Sequence, residues 1–101
     1  MTDSVWYVYL LECQSARIYT GVSPHLDQRI TMHRKGRGAL FTRINQPERL
    51  LAAKPFSSQR EALQIESQVK RMPAQGKRIL ARVWSEQHPI DEHTQKALSL
   101  E

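Results

Sequence analysis

The run VWYVYLL at residues 5–11 limits the possible folds of this chain more than any other feature of the sequence. Side chains alternate between the two faces of a strand, so a run of this composition is apolar on both faces. Such a strand is typical of the centre of a sheet that is covered on both sides. After a polar turn, residues 18–22 form a second β-like run and predict an antiparallel hairpin. An odd number of loop residues would place Tyr9 and Tyr19 opposite one another on one face.

The segment that follows predicts a helix, a basic loop and a third strand. Ser23 is a good N-cap, Pro24 suits the first helical position, and Gly36 supplies a C-terminal stop. Residues 35–47 form a basic loop with two glycines, which let a backbone approach a nucleic-acid strand closely. Residues 49–56 predict a third strand, and the proline near its end suits an edge or a strand-end position.

Two further helices complete the predicted order of elements. Ser58 and Glu61 predict a capping box, in which each side chain accepts a hydrogen bond from the other residue's backbone N–H. This helix runs to Met72, because Pro73 breaks it. The apolar spacing that follows predicts a last helix over residues 74–86.

The order β-β-α-β-α-α indicates an α+β domain, a small antiparallel three-stranded sheet flanked by helices. A length of 101 residues is enough for one domain. We expect the domain to occupy residues 1–86. Residues 87–101 are polar, and we expect them to form a short tail or a frayed helix.

An excess of basic residues points to a polyanionic partner. The chain has 15 Lys and Arg against 10 Asp and Glu, a net charge of +5. This balance favours nucleic acid first and an anionic membrane surface second. No apolar run approaches the roughly 18–20 residues that span a bilayer, and no basic leader opens the chain. We therefore expect a cytoplasmic protein that has no membrane partner. Cys13 is the only cysteine, which excludes an internal disulfide.

Three side chains have a pattern that suggests chemistry. Arg29 and His33 are four residues apart on the first predicted helix, so they project from one face. The alternative for this pair is a solvated helix with ordinary basic residues. Glu66 lies on the core-facing side of its helix, where a carboxylate is costly unless it meets a cation or a metal. The alternative for Glu66 is an ion pair with Lys70, one turn away at the surface.

Basic residues also cluster after each of these two helices. Lys and Arg neutralise phosphates, so the clusters predict contacts with a nucleic-acid backbone, and the alternative is a solubilising surface. The residues that we assign to such contacts are Arg34, Lys35, Arg37, Arg43, Lys70 and Arg71.

The motifs taken together resemble a known family. YVY at 7–9, YTG at 19–21, RITMH at 29–33 and Glu66 occur in the order and spacing of the GIY-YIG nuclease domain. The chain looks most like the small stand-alone bacterial members of that family. The resemblance covers about residues 5–84.

The resemblance implies hydrolysis of phosphodiester bonds with one Mg²⁺ or Mn²⁺ and no small-molecule cofactor. By position, Glu66 matches the metal-binding glutamate, and Arg29 matches the arginine that would stabilise the charge of the phosphorane. Tyr9 would take a proton from the attacking water, while Tyr19 and His33 would position that water and relay its proton. A free phenol has a pKa near 10, so this role predicts cationic surroundings that favour phenolate.

The leading hypothesis is therefore a divalent-metal-dependent DNA endonuclease with low intrinsic sequence specificity, acting as a monomer or weak dimer. The first alternative is a catalytically weak or inactive nucleic-acid-binding module with the same fold. A further alternative is a small protein–protein adaptor that uses the hairpin. Salt-dependent DNA binding would exclude the adaptor, and metal-dependent nicking would separate the first two hypotheses.

Overall fold

A computed structural model describes residues 5–99 and contains a three-stranded antiparallel sheet with helices on both sides. The strands are β1 (Trp6–Cys13), β2 (Ile18–Ser23) and β3 (Pro47–Phe56). The helices are α1 (Leu26–Arg34), α2 (Leu40–Ile44), α3 (Gln59–Lys70), α4 (Ala74–Gln87) and α5 (Glu92–Ser99). The predicted α+β class and three-stranded sheet are confirmed.

The strand order β2-β1-β3 makes β1 the central strand, as its two apolar faces predict. The hairpin register pairs Tyr9 with Gly21 and Leu11 with Tyr19. Tyr9 and Tyr19 therefore share a face but lie on a diagonal, so the expectation that they stand directly opposite was wrong. The last pair of the hairpin ladder is Glu12 with Ile18, and the five residues between them are an odd number, which keeps the tyrosines on one face. That segment includes a 3₁₀ turn at Gln14–Ala16 and is too long for Tyr9 to pair with Tyr19.

Both faces of β1 are buried, and each belongs to a separate apolar cluster. On the face covered by α3 and α4, Val8 and Leu10 pack in one cluster with Ala62 and Trp84. On the opposite face, the second cluster comprises Tyr9, Leu11, Cys13, Ile30, Leu50 and Ala53. The second face carries the tyrosines of the hairpin, so α1 packs directly over the candidate site.

The start of α1 differs from the prediction. The helix begins at Leu26 with His25 as its N-cap, two residues after the predicted start at Pro24. Ser23 remains in β2, where it pairs with Tyr7, and its hydroxyl accepts a hydrogen bond from the His25 N–H at 3.0 Å. Because strand pairing holds Ser23 in β2, the helix begins later in the sequence than predicted.

The basic loop predicted at 35–47 contains the short helix α2, which the sequence analysis missed. β3 begins at Pro47 rather than Arg49, and Pro47 pairs with Cys13 at the end of the ladder. The edge position predicted for this strand is confirmed. An isolated helix of this length is not stable in water, so α2 depends on its tertiary contacts.

The capping box at the start of α3 is half confirmed. The Ser58 hydroxyl accepts the Glu61 N–H at 3.1 Å, as predicted. The Glu61 carboxylate accepts from the N–H of Ser57 at 3.3 Å rather than from that of Ser58. α3 ends at Lys70, before the predicted Met72, and α4 follows the predicted helix closely.

The C-terminal segment, for which a short tail or a frayed helix was predicted, forms the helix α5 and packs against α1. Thr94 is buried, and its hydroxyl donates a hydrogen bond to the Asp27 carboxylate of α1. Residues 1–4 and 100–101 of the predicted domain and tail lie outside the described residues. The boundary at residue 86 stays a prediction. No helix within residues 5–99 has the length and apolar character needed to cross a membrane.

Candidate active site

The hairpin places Tyr9 and Tyr19 under α1 with their rings in contact. Their ring centroids are 6.2 Å apart. Gly21 lies opposite Tyr9 in the ladder, and a Cβ there would overlap the Tyr9 hydroxyl and the Tyr19 ring. Glycine is thus required at this position of β2 because the two rings occupy the space that a side chain would fill.

His33 projects from α1 and packs against the same two rings. The imidazole is fully buried, with its ring centroid 5.1 Å from that of Tyr19 and 5.7 Å from that of Tyr9. The Tyr9 hydroxyl lies 2.8 Å from Nε2 of His33. On the other side of the imidazole, Nδ1 lies 2.7 Å from the hydroxyl of Thr42.

The donor count assigns the proton on each group of this chain. The Thr42 hydroxyl has one proton and donates it to the carbonyl of Ala39 at 3.0 Å. Thr42 must therefore accept from Nδ1–H of His33, which leaves a lone pair on Nε2. Tyr9 in turn donates its hydroxyl proton to Nε2. The direction of donation runs from Tyr9 through His33 and Thr42 to the backbone.

Burial keeps both titratable members of this chain neutral. It is the largest cause that raises the pKa of Tyr9 well above its ordinary value, and the neighbouring Tyr19 adds to it. Burial and the Arg29 charge lower the pKa of His33 to about 4. The predicted cation is present in Arg29, but desolvation outweighs it, so these surroundings do not favour phenolate.

Arg29 contacts the hydroxyls of both tyrosines, and this interaction raises the pKa of its guanidinium. One turn separates it from His33 on α1, as their spacing predicts. Arg29 also lines an open cavity of about 670 Å³, together with the exposed Lys35 and Arg37. The guanidinium of Arg29 and two of the predicted phosphate-binding residues therefore line the same cavity.

Glu66 lies on α3 with its side chain 17% exposed, so it is neither in the core nor on the open surface. Its carboxylate is 3.4 Å from the ammonium of Lys70, which is the ion pair of the alternative interpretation. Its negative charge also contributes to the raised pKa of Tyr9, so it acts on the same phenol. Within residues 5–99, no three His, Cys, Asp or Glu side chains are grouped to hold a metal.

A single carboxylate is nevertheless compatible with Mg²⁺ or Mn²⁺. Mg²⁺ keeps several waters and usually binds through one or two carboxylates together with phosphate oxygens. Glu66 offers one hard oxygen ligand, its charge is near enough to influence Tyr9, and it remains partly open to solvent. The residues present therefore fit a cation that substrate and water help to hold.

The six predicted phosphate contacts do not form one surface. Lys35 and Arg37 share the cavity with Arg29, and Arg43 is exposed on α2. Arg34 is half-buried at the end of α1. On α3, Lys70 pairs with Glu66, while Arg71 lines a different groove on the outer side of that helix.

The sequence analysis missed the residues that hold His33. Thr42 fixes its tautomer, and Gly38 leaves room for its ring, which a Cβ at that position would overlap. Phe41 packs on Tyr19 with ring centroids 5.9 Å apart. The available signal was the glycine loop itself: the sequence analysis assigns its glycines to a close approach of nucleic acid, whereas Gly38 leaves space for the imidazole.

Replacing Thr42 with Val tests this arrangement without an activity assay. The variant keeps the volume but leaves Nδ1–H of His33 buried without an acceptor. We expect the free energy of unfolding in urea to fall by about 1–3 kcal/mol, and ¹⁵N shifts to show a mixed His33 tautomer. Thr31→Val is the matched control, because its hydroxyl only donates to the Asp27 carbonyl within α1. Equal losses in both variants would contradict the assigned role of Thr42.

Comparison with known proteins identifies relatives over most of the chain. A family model described as the GIY-YIG catalytic domain matches residues 5–78. A UPF0213 protein of Cupriavidus necator is 42% identical over 76 residues, covering 75% of this chain and 83% of that protein. A UPF0213 protein of Nitratidesulfovibrio vulgaris is 43% identical over 75 residues, covering 74% and 68% respectively. The solution NMR structure of a UPF0213 protein from Bacillus halodurans is 38% identical, with a TM-score of 0.52 over 91% of this chain and 95% of that one.

Proposed function

The chain belongs to the GIY-YIG family, and from that premise we propose that it is a divalent-metal-dependent endonuclease acting on DNA. It hydrolyses phosphodiester bonds with low intrinsic sequence specificity. The observation that carries the proposal is the buried chain from Tyr9 through His33 to Thr42, next to Arg29. A core that needed only apolar packing would have no use for three aligned polar groups at this depth.

The hydrogen-bonded chain supplies a base for the attacking water. As the water oxygen bonds to phosphorus and the bond from phosphorus to the leaving oxygen breaks, the water proton moves to the Tyr9 oxygen, and the Tyr9 proton moves to Nε2 of His33. His33 becomes an imidazolium that still donates Nδ1–H to Thr42. Because Tyr9 gains one proton as it gives up another, no free phenolate has to accumulate, and its raised pKa is no obstacle.

Substrate binding makes His33 a better base. In the free protein, the Arg29 charge is one of the two causes that lower its pKa. A phosphate bound to Arg29 offsets that charge and adds a nearby anion, and both effects favour the imidazolium. The proton acceptor is thus strengthened when a phosphodiester is in place.

Arg29 and Tyr19 hold the reacting groups. The planar guanidinium can donate two parallel hydrogen bonds to non-bridging oxygens, where negative charge grows in the transition state. Its contacts with both tyrosine hydroxyls keep it oriented. Tyr19, partly exposed at the same ring cluster, positions the water next to Tyr9.

Glu66 is the residue that would hold the cation. When bound, a divalent cation would stabilise charge on the leaving oxygen and on the phosphate. Lys70 is 55% exposed, so its side chain can swing into solvent and release the carboxylate. Lys35 and Arg37 would contact the DNA backbone, which carries no sequence information and so gives little base preference.

Incubation of the protein with supercoiled plasmid tests the proposal. We expect nicked and then linear DNA with Mg²⁺ or Mn²⁺, and no product with EDTA. DNA binding that weakens with salt but never leads to cleavage would instead support the non-catalytic binding module. Absence of salt-dependent binding would support the adaptor.

Arg29→Lys separates catalysis from binding in this assay. The variant keeps the positive charge but loses the bidentate fork, so we expect cleavage to fall about tenfold or more while the Kd for DNA stays within about twofold. Arg37→Lys, in the same cavity, is the matched control and should change neither value appreciably. Equal losses of cleavage and affinity in Arg29→Lys would make Arg29 only a phosphate anchor.

A further inference from the structure

The outer face of α2 presents apolar side chains to solvent. Leu40 is 65% exposed and Ile44 is 72% exposed, and Arg43 lies on the same face at helical spacing. We call these three residues the α2 outer face. Single exposed leucines are common on proteins, but here the helix buries Thr42, half-buries Phe41 and turns its largest aliphatic side chains outward.

The chain segment that contains this face carries only basic residues among its charged ones. From Gln28 to Pro47 the sequence contains no Asp or Glu, while it contains five Lys and Arg residues. These cations are Arg29, Arg34, Lys35, Arg37 and Arg43. A partner of the α2 outer face must therefore tolerate an apolar contact and carry negative charge around it.

We propose that the α2 outer face contacts DNA bases that have come out of the helical stack, so that the protein prefers substrates with unpaired bases. This inference rests on the proposed function and names the DNA structure that the same site takes. Unstacked bases expose apolar faces that aliphatic side chains can cover, and the flanking phosphates match the cations around α2.

α2 packs directly against the candidate active site, so its outer face lies close to that site. Its inner residues touch His33 and Tyr19 directly, through the Thr42 hydroxyl at 2.7 Å and the Phe41 ring. A helix is about 10 Å across, so bases on the outer face lie about one helix width from His33 and Tyr19. The unpaired bases would therefore lie within a few nucleotides of the bond that is cut.

Two other partners fit less well. A membrane-bound amphipathic helix needs an extended apolar face, whereas α2 has five residues and only two exposed apolar side chains. A second copy of this chain would bring a like-charged segment against the same surface, which is unfavourable.

Binding to fluorescent DNA in EDTA tests the inference without turnover. The probes are a duplex and a matched duplex with a three-base bubble, each with 2-aminopurine at the central position. We expect wild type to bind the bubble about tenfold more tightly, the size of a lost base contact, and to raise the 2-aminopurine fluorescence. Leu40→Gln/Ile44→Gln should lose both effects and keep its affinity for the duplex.

Ile79→Gln/Val83→Gln is the matched control. These two residues form an exposed pair at the same spacing on α4, with 58% and 43% exposure. The control should keep the bubble preference. If the α2 double variant melts early, single Ile44→Gln gives the same comparison with less disturbance.

Several results would overturn the inference. They are equal affinity of wild type for both DNAs, equal losses in the two double variants, or an α2 variant whose only defect is weaker self-association or weaker vesicle binding. Plasmid cleavage by a wild type with no bubble preference would leave the proposed function standing. Bubble preference with no cleavage in Mg²⁺ or Mn²⁺ would refute the nuclease and leave the base contact standing.

Discussion

Glu66→Gln is expected to abolish plasmid cleavage, by about 10³-fold or more, because it removes the anionic ligand of a cation worth several kcal/mol to the transition state. DNA binding should persist or tighten, since an anion that faces the phosphates has gone. Stability should change little, because the Lys70 pair is partly exposed and contributes about 0–1 kcal/mol. Cleavage at the wild-type rate would exclude the metal role of Glu66.

Thermal melts provide a readout of this prediction that does not depend on activity. A ligand that binds only the folded state raises the melting temperature, so Mn²⁺ should raise that of wild type and not that of Glu66→Gln. Glu92→Gln is the matched control, since Glu92 pairs with Lys96 at 3.3 Å in the same i,i+4 arrangement on α5. The control should retain both the melting shift and the cleavage.

Tyr9→Phe is expected to lower the cleavage rate by about 10²-fold or more, the usual value of a positioned acid or base. The ring stays packed in its buried position, so the fold is retained. The lost hydroxyl leaves Nε2 of His33 without its donor, which should reduce the free energy of unfolding by about 1 kcal/mol. Tyr7→Phe, two residues along the same strand, is the control. If Tyr9→Phe cleaves like wild type, its hydroxyl is only part of the sheet.

The pH dependence of kcat/KM distinguishes the hydrogen-bonded relay from a free phenolate. His33 accepts a proton only when neutral, which holds above its pKa of about 4. We therefore expect kcat/KM to fall below about pH 4 and to stay level from about pH 5 to pH 9. A phenolate mechanism predicts instead a tenfold rise per pH unit across that range, because the raised pKa of Tyr9 lies above it.

The sequence determined the fold because the relevant signals are local and strong. Alternating apolar residues on both faces of β1 require cover on both sides, and this placed β1 at the centre of the sheet. Given an odd number of loop residues, the alternation of side chains places Tyr9 and Tyr19 on one face of the sheet, and helical spacing places Arg29 and His33 on one face of α1. None of these inferences depends on knowing which residues distant in the sequence meet.

Only the tertiary structure decided how the site residues interact. The hairpin register depends on the length of its loop, which set the tyrosines on a diagonal. α2 forms because Phe41 and Thr42 pack on residues from other elements. A helix of five residues is too short to be stable alone. α5 likewise depends on a contact between distant residues, because the Thr94 hydroxyl donates a hydrogen bond to the Asp27 carboxylate of α1.

The protonation of the site was also beyond the sequence. The sequence predicts cationic surroundings that favour phenolate at Tyr9, but desolvation depends on how deeply packing buries the phenol, and here it outweighs the charge of Arg29. The direction of proton donation follows from the Thr42 hydroxyl, because its single proton is donated to the carbonyl of Ala39. Residue types and spacing thus selected the family and its candidate residues, while packing across elements fixed their tautomers and charges.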